Sequence, residues 1–140
     1  MGSARYPSSA WQSMRAPSLV DFEALARAAF ENIAPELKAL CHDLVIRVAD
    51  FPTDEIIDDL DLETPFDILG LFEGPEPSDA LPSGAEIEAH IFNVYRRPIL
   101  DYWAEHEELL GDIVSHVMVH EIGQHFGLSD DDIEEFETRV

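Results

Sequence analysis

The side chains best suited to chemistry are concentrated near the C-terminal end, between residues 116 and 130. In the motif HExxH, two histidines four residues apart lie on one face of a helix and bind one zinc ion. The glutamate after the first histidine polarises a metal-bound water and carries its proton. Here His120 is followed by Glu121, but the second position, four residues after His120, is Gln124. His116 stands four residues before His120, on the same predicted face.

A regular helix is predicted to carry these residues. Between Glu107 and Phe126, apolar residues recur at helical spacing, which predicts about five turns of helix. Gly127 follows where a left-handed cap would end it. Ser129, with Asp132 three residues later, then predicts the start of a final short helix.

The rest of the chain predicts a small sheet and further helices. A capping box at Ser18 predicts a helix that stops near Ile33, before a proline. Three strands are predicted, at residues 44–48, 66–72 and 87–96, with a loop rich in Pro and Gly between the last two. The order of elements indicates an α+β domain with helices packed on a three- to four-stranded sheet.

Length and composition place limits on organisation and location. At 140 residues, the chain fits one domain. We expect a flexible N-terminal tail at 1–17 and the folded domain at 18–140. No apolar run reaches the roughly 18 residues of a membrane helix, and no signal-peptide pattern is visible. Cys41 is the single cysteine, which excludes an intrachain disulfide and favours a cytoplasmic protein.

The charge of the chain argues against two classes of partner. Thirty acidic residues against eight basic ones give a formal net charge of −22. Such a surface repels nucleic acid phosphates and anionic lipids, because few basic groups are present to release their counterions. We therefore expect no nucleic acid and no membrane as partners. The acidity favours solubility or a salty environment, or else a preference for cationic partners or peptides.

Three segments in order and spacing resemble a known family. The strings Asp67–Gly74, Ile91–Pro98 and Val119–Asp130 are similar to three successive signatures of the minimal zincin-like metallopeptidases, small bacterial proteins with the pattern HExxHxxGxxD. The resemblance covers about residues 20–138. It implies a minimal zincin-like fold, a zinc cofactor and a peptide or protein substrate.

The resemblance also implies roles for individual residues. His120 would be the first zinc ligand, Glu121 the catalytic base and Asp130 the third ligand, with Gly127 turning the chain back towards the metal. Gln124 takes the second ligand position, where an amide oxygen binds zinc more weakly than an imidazole nitrogen. Three interpretations follow: a weak zinc site, a site shifted one turn towards His116, or a protein that has lost the metal.

Other residues have a structural and a functional interpretation. His125 lies about 140° around the helix from His120, which favours a structural role or a place on the cleft rim. The strand at 91–96 is a candidate to pair with an extended peptide substrate. Core packing is favoured over oxyanion binding for Tyr95, and a core position for Tyr102 and Trp103. Arg96 and Arg97 are predicted to pair with nearby acids or to bind a substrate carboxylate.

Two functions compete on this basis. The first is zinc-dependent hydrolysis of peptide bonds, with Glu121 as general base and with activity reduced by Gln124. The alternative is a non-catalytic protein of the same fold, a pseudo-peptidase that binds peptides or proteins without cleaving them.

Overall fold

A computed structural model describes residues 15–75 and 89–139. The predicted tail at 1–17 and the predicted loop between the second and third strands therefore lie largely outside the described residues. Within the described part, no helix has the length and apolar character needed to cross a membrane.

The described residues form six helices and three strands, and most of the helices are grouped at the two ends of the chain. They are α1 (Leu19–Asn32), α2 (Pro35–Lys38), β1 (Val45–Ala49), α3 (Asp54–Asp59), β2 (Gly70–Glu73), β3 (Ile91–Tyr95), α4 (Arg96–Ala104), α5 (Leu110–His125) and α6 (Asp130–Glu137). The predicted fold class, with helices and a small sheet, is confirmed.

The three strands form one mixed sheet in the order β1-β3-β2. β1 runs parallel to β3, with Val45 opposite Ile91, and β2 runs antiparallel to β3, with Gly70 opposite Val94. β3 is thus paired on both sides. Our expectation that this strand pairs with a peptide substrate is wrong, because its backbone groups already serve the sheet. The edge strands are β1 and β2.

The core lies between one face of the sheet and the long helices α1 and α5. Alternate residues of β3, Phe92 and Val94, are fully buried, as the period of two in a half-covered strand requires. They pack with Phe22 of α1 and with Val114 and Met118 of α5, which are also fully buried. This packing holds α5 against the sheet.

Local hydrogen bonds set element boundaries that differ from the predicted ones. The second strand begins at Gly70 rather than at residue 66, because the Asp67 carboxylate accepts hydrogen bonds from the backbone N–H groups of Glu63 and Thr64. Residues 63–67 therefore form a turn, and the strand begins after it. The helix after β3 begins at Arg96, and Pro98 lies in its first turn, where the missing N–H leaves no bond unmade.

The end of α5 forms as predicted. Gly127 has φ +72°, and the N–H of Leu128 reaches back 2.9 Å to the carbonyl of Gly123. This six-to-one bond, with the Gly127 N–H on the Gln124 carbonyl at 3.2 Å, makes a Schellman cap. Ser129 then caps α6 by accepting from the Asp132 N–H at 3.1 Å. The two caps reverse the chain so that α6 packs on α5.

Candidate active site

A cleft of about 340 Å³ opens beside the middle of α5. One wall is α5 itself, and the opposite wall is the segment from Asp67 to Gly70 that leads into β2. α4, the turn before α5 and the end of α6 close the remaining sides. The residues lining it are Asp67, Ile68, Leu69, Gly70, Tyr102, Glu108, Ile113, His116, Val117, His120, Glu121 and Glu137. The structure thus brings two predicted site residues, His120 and Glu121, into one concave site.

Each histidine of the cleft faces a carboxylate from another element. His120 Nδ1 lies 3.4 Å from Glu137 Oε1 of α6, and His116 Nδ1 lies 3.9 Å from Glu108 Oε1, just before α5. Both distances are longer than an ordinary hydrogen bond, so each is an electrostatic contact. Glu108 also accepts a hydrogen bond from the Tyr102 hydroxyl at 3.2 Å. Neither carboxylate was singled out from the sequence, because the contacts depend on how α6 and the turn pack on α5.

Glu121 is half-buried at the cleft. Burial raises the pKa of its carboxyl above the ordinary value, and the nearby charge of His120 opposes this only in part. A carboxylate with a raised pKa is a stronger base at neutral pH, as a general base requires. This environment agrees with the role predicted for Glu121.

Gln124 and Asp130 lie elsewhere. Both are exposed, and neither is among the residues that line the cleft. Asp130 is the first residue of α6, where a negative charge is favoured by the helix dipole alone. The structure therefore places His120 and Glu121 together and leaves Gln124 and Asp130 outside this cleft.

His125 and His90 hold the start of the segment after β2. The buried His90 accepts the His42 N–H at its Nδ1, 2.7 Å away, so its proton is on Nε2, which donates to the Pro75 carbonyl at 3.0 Å. His125 Nε2 donates to the same carbonyl at 3.1 Å. Both rings pack against Phe72. The predicted structural role of His125 is confirmed, whereas nothing in the sequence pointed to His90.

Tyr95 is buried, which agrees with the packing role favoured for it. Among residues 15–75 and 89–139, its hydroxyl has no hydrogen-bond partner. Burial, together with the charges of Glu73 and Glu121, raises the pKa of Tyr95 to about 12. The hydroxyl is therefore neutral at any ordinary pH.

Among the remaining candidate residues near α4, some have a structural role and one lines the cleft. Arg96 donates to the Pro17 carbonyl at 2.6 Å and to the Asp50 carboxylate at 3.0 Å, so the predicted pairing with an acid is confirmed. Tyr102 lines the cleft. Trp103 is 38% exposed, so the expectation of a core position is wrong for this residue. Its indole N–H bonds the Glu108 carbonyl at 3.1 Å instead.

The structure thus combines a long helix, which carries a His-Glu pair on a cleft, with a small mixed sheet packed against it. Residues 41–140, well over half of the chain, match the family described as zincin-like metallopeptidase, and the chain belongs to that family. No protein of curated function shows significant similarity to it.

This family implies a zinc ion, and the residues at the expected position do not fit one well. The expected donors are one imidazole, one amide oxygen and one carboxylate, and only the imidazole of His120 lies on the cleft. Zinc in proteins takes three or four strong nitrogen, sulfur or carboxylate donors. Among the described residues, no three His, Cys, Asp or Glu side chains are arranged to hold a metal ion. Gln124 thus weakens the expected zinc site in two ways: its amide oxygen is a weaker donor than an imidazole nitrogen, and its side chain lies outside the cleft.

Proposed function

We propose that the protein hydrolyses peptide bonds in the cleft beside α5, with Glu121 as general base. The observation that supports this most is the position of the Glu121 carboxylate, half-buried on a cleft that it shares with His120. Burial raises the pKa of Glu121, so its carboxylate accepts a proton from water more readily than an exposed one. Membership of the metallopeptidase family supports the same reaction class.

The outer edge of β2, which no strand of residues 15–75 and 89–139 covers, supports an extended peptide as the substrate. The Tyr95 N–H bonds the Leu69 carbonyl at 3.1 Å, and Leu71 is paired with Asn93. Because bonding alternates along an antiparallel pair, the N–H and C=O groups of Gly70 and Phe72 point away from β3. Gly70 also lines the cleft. A peptide that adds to this edge would pass in front of Glu121.

A non-catalytic protein that binds peptides in the same cleft is the second candidate. The specific observation in its favour is Gln124, which is exposed and replaces an imidazole donor by a weaker amide oxygen. Such a protein would keep the β2 edge and the cleft but would not need Glu121.

A mixture of unstructured peptides, analysed by mass spectrometry, separates the two candidates. We expect the wild-type protein, supplied with zinc, to produce new peptide termini and the Glu121→Gln variant to produce at least about a hundredfold fewer. Glu55→Gln, which changes an exposed acid of α3, is the matched control and should cleave like the wild type. Peptide binding without cleavage by either protein would favour the non-catalytic candidate.

A further inference from the structure

One carboxylate of the cleft stands where its own helix does not favour it. Glu137 is the last residue of α6, and the negative end of the helix dipole disfavours an acid there. Its side chain is 32% exposed and lines the cleft. The contact of its Oε1 with His120 Nδ1, at 3.4 Å, is only electrostatic, and no group among residues 15–75 and 89–139 donates a hydrogen bond to it. Helix stability therefore does not account for the acid at this position.

The other three carboxylates of the cleft already have a partner or a role. Asp67 accepts hydrogen bonds from two backbone N–H groups of its own turn. Glu108 accepts one from the Tyr102 hydroxyl at 3.2 Å. Glu121 is the proposed general base. Glu137 is therefore the carboxylate of this cleft that is best placed to take a cationic partner from outside the chain.

The rest of the cleft suits a long side chain with a charged end. Apolar side chains, those of Ile68, Ile113 and Val117, share the lining with Glu137. Lys and Arg bury their methylene stems on apolar surface and keep the charged end at a polar group. No Lys or Arg among the described residues lines the cleft, so none of them competes for the carboxylate. The volume of about 340 Å³ is at the lower end of ligand pockets, which favours one side chain as the occupant.

We propose that the cleft binds a lysine or arginine side chain of an extended peptide, and that Glu137 selects its positive charge. The stem of that side chain lies on the apolar lining, and its ammonium or guanidinium group donates to the Glu137 carboxylate. The inference rests on the proposed function, and it adds the class of substrate, a peptide with a basic residue. Because Glu121 lines the same cleft, hydrolysis falls close to that residue.

Fluorescence anisotropy with rhodamine-labelled heptapeptides of Ala and Ser tests this selection. The peptides differ only at the central residue, which is Arg, Lys, norleucine or Glu. The whole chain with Glu121→Gln is used throughout, so that no peptide is cut. Measurements are made at physiological salt, where charges more than about 8 Å away are largely screened. We expect the Arg and Lys peptides to bind about fivefold more tightly than the norleucine peptide, and the Glu peptide to bind most weakly.

Substitutions at Glu137 separate this contact from general attraction to an acidic protein. Glu137→Gln should bring the Arg and norleucine peptides to within about twofold of each other, and Glu137→Lys should move the preference towards the Glu peptide. Glu135→Gln is the matched control, because it removes the same charge from an exposed position of α6 outside the cleft. It should keep the full preference.

Two results would overturn the proposal. An equal loss of preference in Glu135→Gln and Glu137→Gln would show that the net charge of −22 attracts the cationic peptides without a specific contact. An Arg peptide that binds no more tightly than the norleucine peptide, before any change at Glu137, would show that the cleft does not select a cation.

Peptide cleavage by the wild type is measured separately, so that the two proposals can fail independently. A preference for the Arg and Lys peptides without any cleavage counts against the proposed function only. Cleavage with no preference for sites next to Arg or Lys, by a protein that binds all the peptides alike, counts against the role of Glu137 only.

Discussion

Gly123→Ala tests whether the contact between α5 and α6 limits the residue type in the last turn of α5. A Cβ built on Gly123 would lie 2.5 Å from Ile133 Cγ1 and 2.9 Å from Ile133 Cδ1. Ile133 is itself buried, at 4% exposure, so its side chain cannot simply turn into solvent. Either α6 moves outwards or Ile133 adopts a poorer rotamer.

The expected magnitude is a difference of two terms. Overpacking of a buried site costs roughly 1–3 kcal/mol. Replacing glycine by alanine within a helix returns about 1 kcal/mol through backbone propensity. We therefore expect a net loss of about 1 kcal/mol in the free energy of unfolding. For a domain of this size, that corresponds to a fall in Tm of roughly 4 °C.

Gly111→Ala is the matched control on the same helix. Among the described residues, the Cβ there would meet only Leu25 Cδ2, at 3.9 Å, which is an ordinary contact. This variant should keep or gain up to about 1 kcal/mol. Urea denaturation followed by circular dichroism gives both values. If Gly123→Ala proves as stable as Gly111→Ala, the close packing of α6 on α5 described above is wrong.

A double mutant isolates the contact itself. Ile133→Ala removes Cγ1 and Cδ1 and leaves Cβ 3.6 Å from the new methyl group. Alone it should cost about 2–5 kcal/mol. Combined with Gly123→Ala, the loss should be smaller than the sum by about 1 kcal/mol or more, as expected for residues in direct contact. Additive losses would show that the two sites do not meet.

Three further predictions concern buried ionisable groups, each in metal-free protein. Tyr95→Phe removes a buried hydroxyl that has no hydrogen-bond partner among the described residues. We therefore expect the free energy of unfolding, measured by urea titration, to rise by about 1 kcal/mol. A clear fall in this free energy would show that the hydroxyl has a hydrogen-bond partner. Burial raises the pKa of Cys41 to about 11 from 9.0, so its thiolate population at pH 8 is about 100-fold below that of a free cysteine. Labelling of this thiol should therefore be slow in buffer and fast in urea. Equal labelling rates in the two solvents would contradict the burial of Cys41. Glu121→Gln should stabilise the protein at pH 7, because the raised pKa of Glu121 means that folding disfavours its charged form. That gain should vanish as pH falls below 4.5, where the unfolded carboxyl is protonated as well, and a gain independent of pH would refute the cause.

The elements that carry the site were predictable because local signals decide them. The capping box at Ser18 and the cap at Ser129 are satisfied by neighbouring backbone N–H groups, three residues away in each case. Gly127 adopts the left-handed conformation expected after a helix. Interactions of such short range depend on only a few adjacent residues, so the sequence alone is enough to predict them.

Long-range pairing was not predictable in the same way. No local sequence signal shows that β3 lies between the other two strands. The expectation that β3 pairs with a substrate is wrong because both of its edges are already paired. The carboxylates that face His116 and His120 come from Glu108 and Glu137, which are 8 and 17 residues away along the chain. Their approach depends on the packing of α6 and the turn before α5. The motif predicted which residues could do chemistry, but not which groups would face them.

The hydrogen bonds to the Pro75 carbonyl affect how far the length of the connection between β2 and β3 can vary. His90 donates to Pro75 across 15 positions in sequence, at 3.0 Å, so the two ends of this connection are fastened to each other. His125 ties the same carbonyl to the end of α5. The cost of lengthening a closed loop grows only with the logarithm of its length. Insertions or deletions between Pro75 and His90 should therefore be tolerated by the sheet and by the motif helix, which makes this connection a natural place for relatives to differ in length and for engineered sequences to be inserted.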